Sequence, residues 1–142
     1  MSGSTTLGSA TTYLEGKILG HTLAYGAFPP PAMIFVGLCT TPPSAGAGGS
    51  EIAAAGYARQ SAAMGGSSQP NVAVNQATIE YPPATVPWGR IGWFELWDAA
   101  AGGNRLYQGT LIDPGTGLAV TRDVLAGDIV RLQAGTLAVR VY

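Results

Sequence analysis

Charge is what this chain has least of. Seven Lys and Arg and eight Asp and Glu are spread over 142 residues, with one histidine and one cysteine beside them. Each shortage excludes a chemistry. One cysteine cannot form an intramolecular disulfide. A single His with a single Cys cannot supply a zinc set, and no Asp-rich loop has calcium spacing, so neither metal nor cofactor is expected. There is no Gly-x-Ser-x-Gly nucleophile elbow, and no glycine-rich turn follows a strand and opens a helix as phosphate-cradling loops do. A net charge of −1 with six scattered arginines leaves no basic footprint for nucleic acid. The longest apolar stretch, Ala32 to Cys39, is far too short to span a bilayer, and no Lys or Arg precedes an apolar run at the N-terminus; neither a membrane partner nor a secretory signal is expected.

What is present is small and apolar. The 21 Gly and 10 Pro fall in clusters between short apolar runs, the punctuation of strands and turns, and the length suits one domain with a core of its own. A surface with so few charges is poorly suited to remaining alone in water, so the exterior is expected to be covered by neighbours, with a homo-oligomer as the simplest form.

Residues 1–10 carry almost no packing groups and read as a flexible arm that a neighbouring subunit could order, ahead of a single β-rich domain over 11–142. Thr12 and Glu15 have capping-box spacing, which predicts a short amphipathic helix over 12–25. Leu14, Ile18, Leu19, Thr22, Leu23 and Tyr25 follow helical spacing along one stripe, and Gly16 and Gly20 weaken the helix enough that it must lean on a partner surface. Pro29-Pro30-Pro31 ends it. Beyond that point the period shortens. Strands are expected over Met33–Cys39, weakly over Gly56–Ala62, over Asn71–Tyr81, Trp88–Asp98, Arg105–Leu111, Asp128–Gln133 and Thr136–Tyr142, with a mobile or neighbour-draped loop at 44–50. The Trp88–Asp98 run carries large side chains on both faces and should lie between two layers. The pattern predicts an all-β protein, a β-sandwich or jelly-roll-like domain with one short N-terminal helix, and no internal repeat that would make a long shaft.

Catalysis finds little support. Glu95 and Asp98 are the one acid pair that could flank a glycosidic bond, yet a strand acid paired with Arg90 or Arg105 and a turn-closing aspartate are the ordinary roles. Cys39 within its apolar run reads as a buried structural thiol, and His21, on the helix, is no evident base for it. Asp113, Asp123 and Asp128 sit where aspartates make turns. Core packing is the ordinary role of the three tryptophans, Trp88, Trp93 and Trp97, and Trp88, between Pro87 and a glycine, is the one of them expected to be partly exposed if any is. Trp88 and Tyr57 are the candidate contacts for a ligand or partner, such as a host glycan.

The order of several landmarks resembles a family of small tailed-bacteriophage proteins often labelled tail fibre or virion structural proteins. They are Thr12-Tyr13-Leu14-Glu15, Ile34-Phe35-Val36-Gly37-Leu38 with Thr40-Thr41-Pro42-Pro43, Gly48-Gly49-Ser50-Glu51-Ile52 and Gly56-Tyr57-Ala58-Arg59-Gln60. Tyr81-Pro82-Pro83-Ala84-Thr85, Trp88-Gly89, the stretch from Phe94 to Asn104 and Leu125-Ala126-Gly127-Asp128 continue the series. The resemblance implies a non-enzymatic virion component present in many copies, decorating or cementing a capsid or tail lattice beside other virion proteins. It supplies no catalytic residues. A carbohydrate- or receptor-binding module of a tail fibre is the alternative it leaves open.

Overall fold

A computed structural model describes residues 6–113 and 115–141. Its elements are β1 (Thr6–Ala10), α1 (Thr12–Thr22), β2 (Ile34–Cys39), β3 (Gln60–Ala62), β4 (Met64–Gly66), β5 (Val72–Asn75), β6 (Ile79–Glu80), β7 (Gly89–Ile91), β8 (Trp93–Trp97), β9 (Arg105–Thr110), β10 (Arg122–Val124), β11 (Arg131–Leu132) and β12 (Leu137–Arg140). Eight of the strands form one sheet in the order β3-β2-β8-β9-β1-β12-β5-β4, while β10 pairs β7 and β11 pairs β6 in two small sheets. Only Ala63 separates β3 from β4, yet they occupy the two edges of the large sheet. One bent strand therefore pairs β2 with its first half and β5 with its second, and the sheet curls almost shut. The all-β class with one N-terminal helix holds, and the two layers anticipated for it are the opposite walls of this rolled sheet.

Alternation along the strands decides what faces inward. From β2 Val36 and Leu38, from β8 Phe94 and Leu96, and from β12 Leu137 and Val139 meet in the interior, joined by Ile79, Tyr81, Ile91, Val124 and Val130 from the flanking sheets. One polar residue shares this core. Asn75 is 1% exposed, donates through Nδ2 to the carbonyls of Ala77, Leu132 and Gln133, and accepts from the Leu137 amide. These bonds tie β5 to the β11–β12 turn and leave its amide fully satisfied.

Several boundaries differ from the sequence pattern. Thr6–Ala10, expected within a flexible arm, lies inside the sheet, parallel to β12 and antiparallel to β9; residues 1–5 are outside the described range. The cause is steric. A side chain at Gly8 would run into the Phe94 ring and the Gln108 carbonyl, so the small residues that look like slack in the sequence are what lets β1 enter a crowded sheet. The helix cap is Thr11 rather than Thr12, its hydroxyl accepting from the Leu14 amide while donating to the Arg105 carbonyl. The long strand expected over 71–81 breaks after Asn75, where Gln76 turns its amide to Ala63, and the 88–98 run breaks at Gly92.

The loop at 44–50, expected to be mobile or draped over a neighbour, belongs to a connection, 40–50, that is hydrogen-bonded to its own chain. Thr40 and Ser50 pair across it, Ser50 donates to the Thr41 hydroxyl, Thr12 donates to Ala45, and Gly49 donates to the Glu95 carboxylate at 2.9 Å. The loop thus roofs part of the outer face of β8 and β9, which is why Glu95 is buried there while Phe94 and Leu96 are buried on the inner face.

Candidate functional site

The acids take structural positions. Glu95 is 1% exposed beneath loop 40–50, where it accepts from Gly49 and lies 3.6 Å from Arg105 Nε. Arg105 Nη1 in turn donates to Gln108, whose amide donates to Ser9, so the outer face of β8, β9 and β1 carries a connected polar row. Asp98 closes the 98–104 turn, accepting from the backbone and side-chain nitrogens of Asn104, and the Asn104 amide holds its carboxyl below the usual aspartate range. The two carboxylates are committed to these local partners, Glu95 to the roof loop and Asp98 to the turn. Asp113 and Asp128 likewise bond the nearby amides of Gly115 and Leu125, and Asp123 pairs with exposed Arg90.

Burial pushes the Cys39 thiol far above its ordinary range, and the Glu95 carboxylate beside it adds to the effect. Such a thiol stays protonated and inert. His21 lies on the exposed side of α1, where its Nδ1 accepts from the Phe28 amide.

Trp88 corrects the sequence reading. At 5% exposed it is the most buried of the three tryptophans, standing edge-on to Tyr57 and Tyr81 at ring distances of 5.4 and 6.4 Å. It packs there because Tyr81 and Tyr57 offer ring faces and Val124 accepts its backbone amide. Tyr57 is half-buried and its hydroxyl is occupied, accepting from Leu38 N and donating to Glu51. Burial, then the Glu51 carboxylate, push that phenol well above its ordinary range. The two rings therefore sit together, as part of the core rather than as a surface platform.

The sequence reading missed the neighbour of this pair. Arg59 makes a bidentate contact to Glu51, donates to the carbonyls of Ala99 and Gly102, and stacks over Trp97 at 3.8 Å. Gly37 makes room for it, since a side chain there would strike the Glu51 carboxylate. The available signal was an arginine in a stretch with almost no other charge.

The end of α1 and the connection from it to β2 form an exposed apolar surface, while Leu118 and Leu125 are exposed singly elsewhere. Of α1 only Leu14 and Gly20 are buried. Leu19 and Met33 are exposed, Leu23 is 66% and Tyr25 71% exposed, and Phe28 is half-buried. The helix closes on itself, Tyr25 and Gly26 both donating to Gly20 O around a left-handed Ala24. Among the described residues, the hydrogen bonds of 23–33 run to α1 alone. This apolar, uncharged projection enters β2 at the same end of the barrel as a recess of about 350 Å³ lined by Ile34, Met64, Leu96, Tyr107, Val139 and Val141.

The model of one protein family, described as Podophage GP4 fiber I protein gp80, matches residues 9–140. The match runs from within β1 to the end of β12 and so includes the barrel, α1 and the exposed segment together. No curated protein matches the chain.

Proposed function

We propose, for a chain that belongs to the podophage GP4 fiber I protein gp80 family and so to the virion, the role of a compact non-enzymatic block, which cements a fibre or capsid lattice by packing against copies of itself. The observation that carries this reading is the apolar projection with Leu19, Leu23, Tyr25 and Met33 exposed on a molecule with so little charge. Side chains of that size left in water favour association, at roughly 25 cal/mol for each Å² of apolar area covered. Among the described residues, the projection has no hydrogen-bonded tie to its own barrel to hold it back. The apolar recess at the same end of the barrel offers a neighbouring copy a receiving surface of matching chemistry.

The barrel gives such a block rigidity without length. Its edges are closed against each other by the bent β3–β4 strand, so stacking through open strand edges is suppressed and contact is directed to side-chain surfaces. Other virion proteins are the remaining partners of the block, meeting it at its sparsely charged exterior.

Size-exclusion chromatography with light scattering tests this. The wild-type chain is expected as a discrete oligomer, and a Leu23→Ser/Tyr25→Ser double variant as a monomer with an unchanged circular-dichroism spectrum. A wild-type chain that stays monomeric at high concentration, or a double variant that associates as before, would overturn the reading.

A further inference from the structure

A second surface differs in kind from the apolar projection. On the outer wall of the barrel, where β8, β9 and β1 lie side by side, a cleft of about 340 Å³ is bounded by Trp93, Thr110, Gln108 and Ser9, with Pro42 and Pro43 of the roof loop overhanging it. Register explains the grouping. Trp93 stands opposite Thr110 and Gln108 opposite Ser9, so an aromatic ring, two hydroxyls and an amide share one outer face.

Among the described residues, no charged side chain lines this cleft, although Glu95 and Arg105 are neighbours in the same polar row. Their role is one step removed. Arg105 Nη1 donates to Gln108 Oε1 at 2.9 Å, and Gln108 Nε2 donates to Ser9 Oγ at 3.2 Å, which fixes the amide and leaves one of its N–H groups unused. Gln108 is itself 6% exposed, so this orientation is set by a buried framework. The Thr110 hydroxyl and the Trp93 indole N–H make no hydrogen bond among the described residues. The cleft is therefore lined by four residues with spare hydrogen-bonding capacity, Gln108, Ser9, Thr110 and the half-buried Trp93.

The geometry points to a binding site for a neutral hexose unit of a polysaccharide. A pyranose ring has an apolar C–H face that packs on an indole and a rim of hydroxyls that both donate and accept; an amide, a hydroxyl and an indole N–H answer that rim, and a charged ligand would find no counter-ion here. The volume lies at the small end of ligand sites, which suits a single ring as the recognised unit rather than an extended chain segment. This site is separate from the residues proposed for assembly, so it goes beyond the cementing role and its failure would leave that reading standing.

Saturation-transfer NMR on the intact chain, with methyl glucoside, galactoside and mannoside as neutral probes and methyl glucuronide as the anionic one, tests the assignment. At least one neutral glycoside should give transfer to its ring protons, and Trp93→Ala should weaken its binding by about tenfold or more. Thr110→Val, of nearly the same shape, should weaken it while leaving the circular-dichroism spectrum and melting temperature unchanged, which separates lost contact from lost fold. Absence of transfer to every neutral probe would overturn the proposal. So would binding that survives both substitutions, or a preference for the glucuronide.

Discussion

Two eleven-residue connections flank β2, residues 23–33 before it and 40–50 after it, and both are uncharged and rich in Pro, Gly and Ala. They behave oppositely. Loop 40–50 is fastened at Thr40, Ser44, Gly49 and Ser50, holds the first residue of α1 through Ala45, and closes over a buried carboxylate. Among the described residues, segment 23–33 is bonded only to the helix it leaves, and it keeps Leu23, Tyr25 and Met33 exposed. The difference lies in what each can reach. Four hydroxyl residues and three glycines let 40–50 turn its backbone onto Glu95, while Pro29-Pro30-Pro31 removes three amides from 23–33 and holds it straight. Composition alone does not make a segment free; a charge within reach of its amides makes it part of the body.

The sharpest break in this comparison comes at the charge itself. Glu95→Ala removes the acceptor of Gly49 N and leaves Arg105, also nearly buried, without its ion-pair partner. Removing one member of a buried pair costs about 3 to 5 kcal/mol, and urea unfolding followed by tryptophan fluorescence should show a loss of that order. A loss below about 1 kcal/mol, the range of exposed pairs, would mean that the loop is held by its backbone bonds alone. Gly49→Ala probes the same fastening sterically. The added methyl group would meet the Thr41 carbonyl, the Cys39 side chain and the Pro43 nitrogen, and because two of the three are backbone the loop must shift. Overpacking of this kind costs about 1 to 3 kcal/mol, readable as a lower urea midpoint with an unchanged slope.

Much of this architecture was legible in the residues. The single short helix, the β class, a strand within Trp88–Asp98 with large side chains on both faces, an arginine partner for Glu95 (Arg90 or Arg105, of which the fold supplies Arg105) and the turn role of Asp98 follow from periodicity and from the ordinary habits of isolated acids. What was not legible depended on long-range contacts. β1 reads as slack because Gly8 looks permissive, and only the position of Phe94 beneath it shows that glycine is required. Trp88 between a proline and a glycine looks exposed, yet Tyr57 and Tyr81, 31 and seven residues away in the chain, close over it. Loop 40–50 looks mobile because its anchor, Glu95, lies 46 residues from Gly49. The Trp93 cleft is assembled from three strands whose order in the sheet is not their order in the chain, and no local pattern announces it.

A weaker fastening sharpens the comparison through pH. The turn at 98–104 is, like loop 40–50, a small-residue connection tied to a carboxylate, here Asp98 through the Asn104 amide. Because that bond lowers the Asp98 pKa in the folded chain, the unfolded chain binds the proton more readily. The stabilisation is therefore complete above the ordinary aspartate value of about 3.9 and is lost as pH falls through it toward the lower folded value. Unfolding free energy measured from pH 5 down to pH 2 should decline, and more shallowly in Asp98→Asn, which has no proton to take up at this position. An identical decline in the variant would show that the turn is held by its glycines and not by the charge. Asp123 shifts in the same direction, but it and Arg90 are well exposed and screened by water, so the urea midpoint of Arg90→Ala should barely differ from that of the wild type.

The smallest expected effect tests the other side of the comparison. Gly26 lies in the projecting segment, its φ is not in the left-handed range, and a methyl group added there would approach nothing nearer than the Gly20 Cα at 3.9 Å. With no clash to relieve and no bond to lose, Gly26→Ala acts mainly on the unfolded chain, whose freedom it reduces, and a gain of about 0.4 to 1 kcal/mol is the ceiling for such a change. Thermal unfolding of the wild type and the variant should therefore coincide or favour the variant slightly. A loss as large as that of Gly49→Ala would mean that 23–33 is packed in the isolated chain as tightly as 40–50, and a segment already packed has no surface left to offer a neighbouring copy.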